Sequence, residues 1–582
     1  MKYTIREDKR QENESILYGI LRNRGIENPD HYLRVTEADI INPASIKNMH
    51  EAARCLIYHI AAQHDIFVNV DSDCDGYTSA AFMINYLYKF FPGFTQQHVS
   101  WAMHDDKGHG LLMKEIEQVR PQLVICPDAG SNEFDKHEIL KRMGVDLIII
   151  DHHNTTGYSE NAIVINNQLD DGYPTKSLSG VGMVYKFCSY IDEMNETSYA
   201  KEMLDLAALG IIADVMELKD YETHELISLG LANINNPFLK AMVAKNEYSL
   251  KSDQPSPEGV AWYIAPSVNA VTRVGTQQEK ECLFESMLEQ KAYTLVPSIK
   301  RGHKPGDMET IVEQAVRTCT NVKKRQDKTR DTIFDEVCKK IQNEHLDQNK
   351  IILIKWENPT EESKSITGLI ANKVMSKYGH PVMLLNLTFD PETGEVLWSG
   401  SGRNPVNDSV PSLQQFANDS GFFSLAEGHD NALGLAILDS NVDKFIAYSN
   451  EKLKDADFGT SYIVDVSYLP NKIDNLDILE IADAKDLWGQ GVEEPLVLIQ
   501  GVPITEDNTK LFGSTLKIAF PSGLSAVKFG VSEDEYKNLL PNSIDQTVMI
   551  DVIGTCARNT GWDNGPQLMI KDYEILGTQW YF

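Results

Sequence analysis

Three carboxylates, Asp71, Asp73 and Asp75, occupy alternate positions in the stretch FVNVDSDCDGYTSAA (67–81), after a short apolar run and just before Gly76. In an extended segment such positions share one face. Three acids on one face repel one another unless a cation sits between them, and oxygen ligands suit a divalent one. The same pattern opens an EF-hand loop, but that loop needs an apolar residue at its eighth position and a bidentate Glu at its twelfth. Thr78 and Phe82 stand there, and the preceding IFVNV reads as a strand. An acidic surface turn is the remaining alternative, since turns favour Asp and Gly.

Three further segments add acids and imidazoles. LVICPDAGSNE places Asp128 just after a second apolar run, and VDLIIIDHHNT places Asp151, His152 and His153 just after a third. LDLAALGIIADVMEL is an apolar helical stretch with Asp214 near its end. A charge in such a stretch is costly unless it is paired or bound to metal. Strand followed by acid, three times over, is the pattern of an open parallel α/β sheet, whose ligands bind outside the carboxyl ends of the strands.

In order and spacing, these four segments resemble the DHH phosphoesterase family, named for its Asp-His-His motif, and the resemblance to its RecJ-type exonucleases is nearly full-length. KSLSGVGMVYKF (176–187) resembles the family's helix entry, and IAPSVNAVTR (264–273) the end of its catalytic domain. WSGSGRN (398–404) and GHDNALGLAI (428–437) resemble the motifs of its substrate-binding domain. WGQGVEEPLV (488–497) and DVIGTCARNTGWDNGPQLMIKDYEI (551–575) resemble the C-terminal OB-like domain.

The resemblance implies two divalent cations, Mn2+ or Mg2+, clamping a phosphodiester for in-line attack. Asp128 bridges them in this reading. Asp73, with Asp71 beside it, serves one cation; Asp75, His152 and Asp214 serve the other. His153 stabilises charge or donates a proton, and Asp151 orients a histidine. Hard oxygen ligands with one imidazole favour manganese or magnesium over zinc. Ser399, Ser401, Gly402, Arg403 and His429 are the expected phosphate contacts, with Arg273 and His104 beside the catalytic site. Two positions depart from the family: His104 and Ser267 stand where RecJ-type chains carry Arg. A protonated His104 can still hold phosphate, which predicts tighter binding below about pH 6.5.

The implied activity is 5′-to-3′ hydrolysis of single-stranded DNA to 5′-mononucleotides. The alternatives are a phosphodiesterase of short oligonucleotides or nucleotide second messengers, and an inactive replication scaffold of DHH fold; RNA or short oligonucleotides are alternative partners to single-stranded DNA. A single-strand-binding protein or helicase is the expected partner.

These residues need several elements to position them. A chain of 582 residues exceeds one core. The expected organisation is α/β: a polar, partly helical segment (1–45), a parallel-sheet DHH catalytic domain (46–235) and a helical connector (236–345). A second α/β substrate-binding domain (346–455) and a C-terminal OB-like β-barrel of short strands (456–582) follow. No apolar run reaches the roughly 20 residues that span a bilayer, and the polar N-terminus has no signal-peptide core. The eight scattered cysteines lack zinc spacing and read as reduced thiols, with Cys74 and Cys126 as packing residues. The expected protein is a cytoplasmic monomer. A net charge of −31 confines any DNA contact to a local basic track. The track expected is Arg317, Lys323, Lys324, Arg325, Lys328 and Arg330, which otherwise form only the solvated face of a connector helix.

Overall fold

The computed structural model describes residues 1–580 except 106–107, 170–171, 251–253, 391–392, 406, 408, 459–460, 544–545 and 560–563. The architecture is α/β, and the chain divides into two compact units: 5–320 with 464–582, and 1–4 with 321–463.

In the first unit, helix α1 (Met49–Ala61) leads into strand β1 (Ile66–Val70), followed by helix α2 (Cys74–Phe90). Strands β2 (Val99–Met103), β3 (Leu123–Pro127), β4 (Asp146–Asp151) and β5 (Ile163–Asn166) complete an all-parallel sheet of order β2-β1-β3-β4-β5. Every residue of β1 and β3 is buried, as expected of parallel strands covered on both faces. Phe67, Val124, Cys126, Leu147, Ile149 and Val164 fill the core on one face. Helices α3 (Gly180–Asn195) and α4 (Leu204–Ala213) also pack onto α2.

The segment expected to be a helical connector is less uniform. It contains a π-helical turn (Val260–Ile264), a helix (Ala265–Val274) and a hairpin pairing Leu295–Pro297 with Met308–Thr310. The expected basic track lies on the 33-residue helix Ile311–Asn343, where local acids neutralise much of it. Arg317 pairs with Glu309, Lys323 with Asp327, and Arg330 with Asp327 and Asp331.

The last part of the first unit is a mixed seven-stranded sheet. Its strands are not all short: Gln546–Arg558 and Pro566–Trp580 run for 13 and 15 residues. Register shifts at Met549/Ile550 and Ile553/Gly554 interrupt their ladder, and such bulges bend a long strand pair. Residues 560–563, within the 551–575 stretch, lie outside the described residues.

The second unit carries a five-stranded sheet of order Phe423–His429, Ala432–Leu438, Val396–Arg403, Val382–Phe389, Ile352–Trp356. Among the described residues no helix is long and apolar enough to cross a membrane, and all eight cysteines are free thiols.

Candidate metal centre

Sheet register puts three acids in one row. Val68 of β1 lies opposite Ile125 of β3, which lies opposite Ile148 of β4. Three residues beyond that rung are Asp71, Asp128 and Asp151. The strand order reverses direction between β1 and β3, and open parallel sheets bind ligands at such a switch point.

Each acid is aimed by its own local device. Asp71 accepts from Gly110 N at 3.1 Å and from His109 Nδ1 at 2.6 Å. Asp73 caps α2 by accepting from Gly76 N at 3.0 Å, so the segment starts a helix and is no EF-hand loop. Asp75 sits at the start of α3, where Ser179 Oγ donates at 2.8 Å, Gly180 N at 2.6 Å and Val181 N at 3.2 Å. The positive end of a helix favours a carboxylate. Asp151 binds the turn after it, accepting from the backbone N–H of His152 (2.7 Å) and His153 (3.2 Å) and from His153 Nδ1 (2.7 Å). Asp214 forms the C-cap of α4 and so stands at the end of that apolar helix, not deep within it.

Two residues at the centre take left-handed backbone: Asp128 (φ +62°) and Val215 (φ +60°), which follows Asp214. Such conformations are uncommon outside glycine, and a β-branched residue there is a true outlier. Strain of this kind costs on the order of 1–3 kcal/mol per residue and clusters at functional sites.

The side chains converge. His152 Nε2 lies 3.2 Å from Asp128 Oδ1, 3.4 Å from Asp214 Oδ2 and 4.0 Å from Asp75 Oδ2. His152 Nε2, Asp128 Oδ1 and Asp214 Oδ2 are buried and make no hydrogen bond. Asp75, His152 and Asp214 form one group with metal-ligand spacing, and Asp71, Asp73 and Asp128 another. Buried polar atoms left without hydrogen bonds are costly. Carboxylate oxygens, joined by one imidazole in the first group and alone in the second, fit a hard divalent cation in each.

Protonation equilibria of the metal-free chain report the same excess of negative charge. Burial, then Asp75 and Asp73, pushes the Asp214 carboxyl up to about 8. Burial and the neighbouring acids also raise Asp128 well above the usual carboxylate range. Burial, then the charge of His153, lowers His152 to about 4, which leaves a neutral imidazole able to ligate. The Asp151 hydrogen bond raises His153 to about 9. Asp151 is also buried, but its contacts with His153 hold it below the usual range.

Of the cationic positions, Arg273 is drawn to the centre, where Asp73 and Cys74 are its electrostatic neighbours. His104 Nε2 donates to the Gly110 carbonyl at 3.0 Å and so braces the loop carrying His109. Ser267 Oγ donates to the Tyr263 carbonyl at 3.3 Å.

In the second unit, Ser399, Ser401 and Arg403 alternate along one strand and share a face. The Arg403 guanidinium and Ser401 Oγ lie against Gly368, close enough that a Cβ at Gly368 would strike the guanidinium. Gly402 faces the other way, where a Cβ would press on Leu433 and Leu435. Arg403 and the exposed His429 both lie opposite Ala432, from either side. They stand two strand spacings apart, about 9–10 Å.

Sequence reasoning missed several supporting residues. His109, five residues after His104 and flanked by Gly108 and Gly110, carries no local pattern that sets it apart. Gly180 and Gly210 admit the carboxylates: a Cβ at Gly180 would strike Asp128, and one at Gly210 would strike Asp75 and Thr78. Asn269 Oδ1 accepts from Cys74 N at 3.1 Å and anchors the start of α2.

Comparisons with known proteins give the family and the fold. Residues 65–211 match the DHH family, N-terminal domain. The chain is 36% identical over 565 residues, 96% of each sequence, to YorK of Bacillus subtilis (strain 168), a prophage SPbeta-derived protein named as a single-strand DNA-specific exonuclease. It is 25% identical over 590 residues to the single-stranded-DNA-specific exonuclease RecJ of the same organism, across 96% of this chain and 68% of that protein. RecJ from Thermus thermophilus shares the fold. Its Mn2+ complex superposes with a TM-score of 0.67 at 19% identity, over 91% of this chain and 72% of that one. Its Mg2+ complex gives 0.63 at 18%, over 96% and 74%.

Proposed function

Because this chain belongs to the DHH family, in its RecJ-like branch, we propose that it is a metal-dependent exonuclease that hydrolyses single-stranded DNA from the 5′ end to 5′-mononucleotides. The observation that carries this reading is the convergence of His152 Nε2, Asp128 Oδ1 and Asp214 Oδ2, buried and without hydrogen bonds, between two carboxylate groups.

Manganese or magnesium ions, when bound as a pair, supply Lewis acidity and an activated water for in-line attack at phosphorus. Asp128 offers its carboxylate to both groups. Asp71 and Asp73 complete one; Asp75, His152 and Asp214 complete the other. Asp151 engages His153 Nδ1 and leaves Nε2 to carry a proton toward the phosphate oxygens. The Asp151 hydrogen bond, which raises the protonation range of His153, favours a protonated imidazole facing the charge that builds on the departing oxygen.

In the second unit Arg403, Ser399, Ser401 and His429 offer phosphate contacts, Arg403 by its planar fork; in the first unit Arg273 offers its own. Because His104 and Ser267 are engaged with backbone carbonyls, they contribute less to phosphate binding than the family's arginines. A partner that handles single strands, such as a single-strand-binding protein or a helicase, supplies the affinity that an acidic chain lacks. The protein acts as a cytoplasmic monomer in this reading.

The test is cleavage of single-stranded DNA labelled at either end, in Mn2+, with duplex DNA and a dinucleotide alongside. Stepwise mononucleotide release from the 5′ end is expected. Release from the 3′ end, or turnover of the dinucleotide alone, would overturn the assignment.

A further inference from the structure

A second group of soft and hard donors lies at the other end of β4. Glu51, Cys55 and His59 are spaced four residues apart on α1 and so share one face. His59 is buried and its Nε2 lies 3.1 Å from Asp146 Oδ2, at the first residue of β4. Cys55 Sγ joins them: one ligand atom from each of Cys55, His59 and Asp146 lies within 4.8 Å of the others. His59 Nδ1 faces His64 Nδ1 at 3.1 Å. A histidine whose second nitrogen is held in this way has the ring orientation and tautomer fixed for ligation.

Two further observations point to a ligand. Cys55 and Asp146 open onto a polar cavity of about 430 Å3, lined also by Lys47, Glu51, Lys141 and Tyr158. Of the two lysines, Lys47 is stacked on the Tyr158 ring at 3.8 Å. Burial, then the charges of Asp146 and Glu51 against the single Lys141, pushes the Cys55 thiol up to about 11, so that the thiolate needs a bound cation beside it. A thiol beside an imidazole and a carboxylate, in a field short of positive charge, is a donor set for a borderline-soft cation.

We propose that Cys55, His59 and Asp146 form a zinc-type site, separate from the catalytic centre, with water from the cavity in the fourth position. Sulfur, nitrogen and oxygen donors together select zinc over manganese or magnesium. Asp146 and Asp151 open and close the same strand, five residues or about 17 Å apart, so the two centres cannot share an ion. The site ties α1 to the start of β4. Because α1 leads into β1, bound zinc braces the strand that presents Asp71.

Cobalt(II) is the spectroscopic probe, titrated into the metal-free full-length protein. One equivalent is expected to give a thiolate-to-cobalt charge-transfer band that persists in Asp128→Asn, disappears in Cys55→Ser and weakens in Asp146→Asn. This pattern also separates Cys55 from Cys74 and Cys126, which lie near the catalytic centre. A band that survives Cys55→Ser, or its absence from the parent protein, overturns the proposal. Alkylation mapped by mass spectrometry needs no variant to fold: zinc should slow iodoacetamide labelling of Cys55 at least tenfold, and equal rates with and without zinc would sink the site. Failure here leaves the exonuclease reading intact, because the cleavage assay does not involve Cys55.

Discussion

Two regions of the first unit bury carboxylates and treat them in opposite ways. Near α3, Glu222 and Lys186 form an ion pair at 2.6 Å with side chains 1% and 0% exposed. Tyr173 Oη donates to Glu222 at 2.6 Å, Ile41 N donates at 3.1 Å, and Lys186 Nζ also donates to the Ile41 carbonyl. The protein itself satisfies that charge. At the carboxyl ends of β1, β3 and β4, Asp128 and Asp214 each keep an oxygen with no hydrogen bond, and several like charges crowd together. A buried acid that the chain satisfies is architecture. A buried acid that the chain leaves unsatisfied, on strained backbone, is a place for something else to bind.

The sharpest way to break this comparison is to remove one acid from each region. Asp128→Ala should cut single-strand cleavage by on the order of 10³-fold or more, the weight of several kcal/mol of metal-assisted stabilisation. Its melting temperature should hold or rise, because like-charge repulsion is relieved. Glu222→Ala leaves Lys186 buried and unpaired, which costs about 3–5 kcal/mol, while cleavage per folded molecule persists. Full activity in Asp128→Ala, or an unfolded Asp128→Ala beside a stable Glu222→Ala, would invert the assignment. Thermal melts and initial rates on the same preparations read both.

Of the two regions compared, chelation should act on the catalytic acids and leave the Glu222–Lys186 pair untouched. EDTA is expected to abolish cleavage and leave far-ultraviolet circular dichroism unchanged, with Mn2+ restoring the rate. Activity that persists after exhaustive chelation would remove the metal centre from the mechanism.

Smaller effects come from the supports. His109→Ala removes the imidazole holding Asp71, and Gly180→Ala forces a methyl group against Asp128. Each should weaken Mn2+ by about 10–100-fold, the usual weight of a group that orients a ligand. Isothermal titration measures this directly, and unchanged affinity in both variants would show that neither contact positions a ligand.

A separate effect is the pH slope of stability. In the metal-free chain, Asp214 titrates at about 8, against about 3.9 for an unfolded aspartate. Between these values the folded state binds more protons than the unfolded state, so stability falls as pH rises. The metal-free melting temperature should therefore decline from pH 5 to pH 8, and Mn2+ should flatten the decline by taking the place of the proton. A metal-free slope of opposite sign would contradict the environment described for Asp214.

Much of this was legible in the sequence because it is local. The apolar runs before Asp71, Asp128 and Asp151 form buried parallel strands, and IILIKW and GLIANKVMSKYG become the strand Ile352–Trp356 and the helix Thr367–Tyr378. What stayed hidden depends on partners distant in the chain. Nothing near Asp75 announces that Ser179, Gly180 and Val181 will donate to it from 104–106 residues away. The basic run on Ile311–Asn343 is the opposite case, since the acids that pair with it lie one to eight residues away. Two C-terminal strands run longer than their turn signals suggest, because bulges absorb the bend.

The sequence by itself determined the chemistry: which donors exist, that each acid follows a strand or ends a helix, and that hard cations suit them. Residue type and short-range periodicity carry that information. Only the tertiary structure decided the arrangement. The parallel register aligns Asp71, Asp128 and Asp151 in one row, and glycines at 180 and 210 leave room for carboxylates. Across the sheet, Cys55 and His59 meet Asp146. Those meetings depend on strand order and helix packing, which burial of the whole core selects and no short stretch of chain encodes.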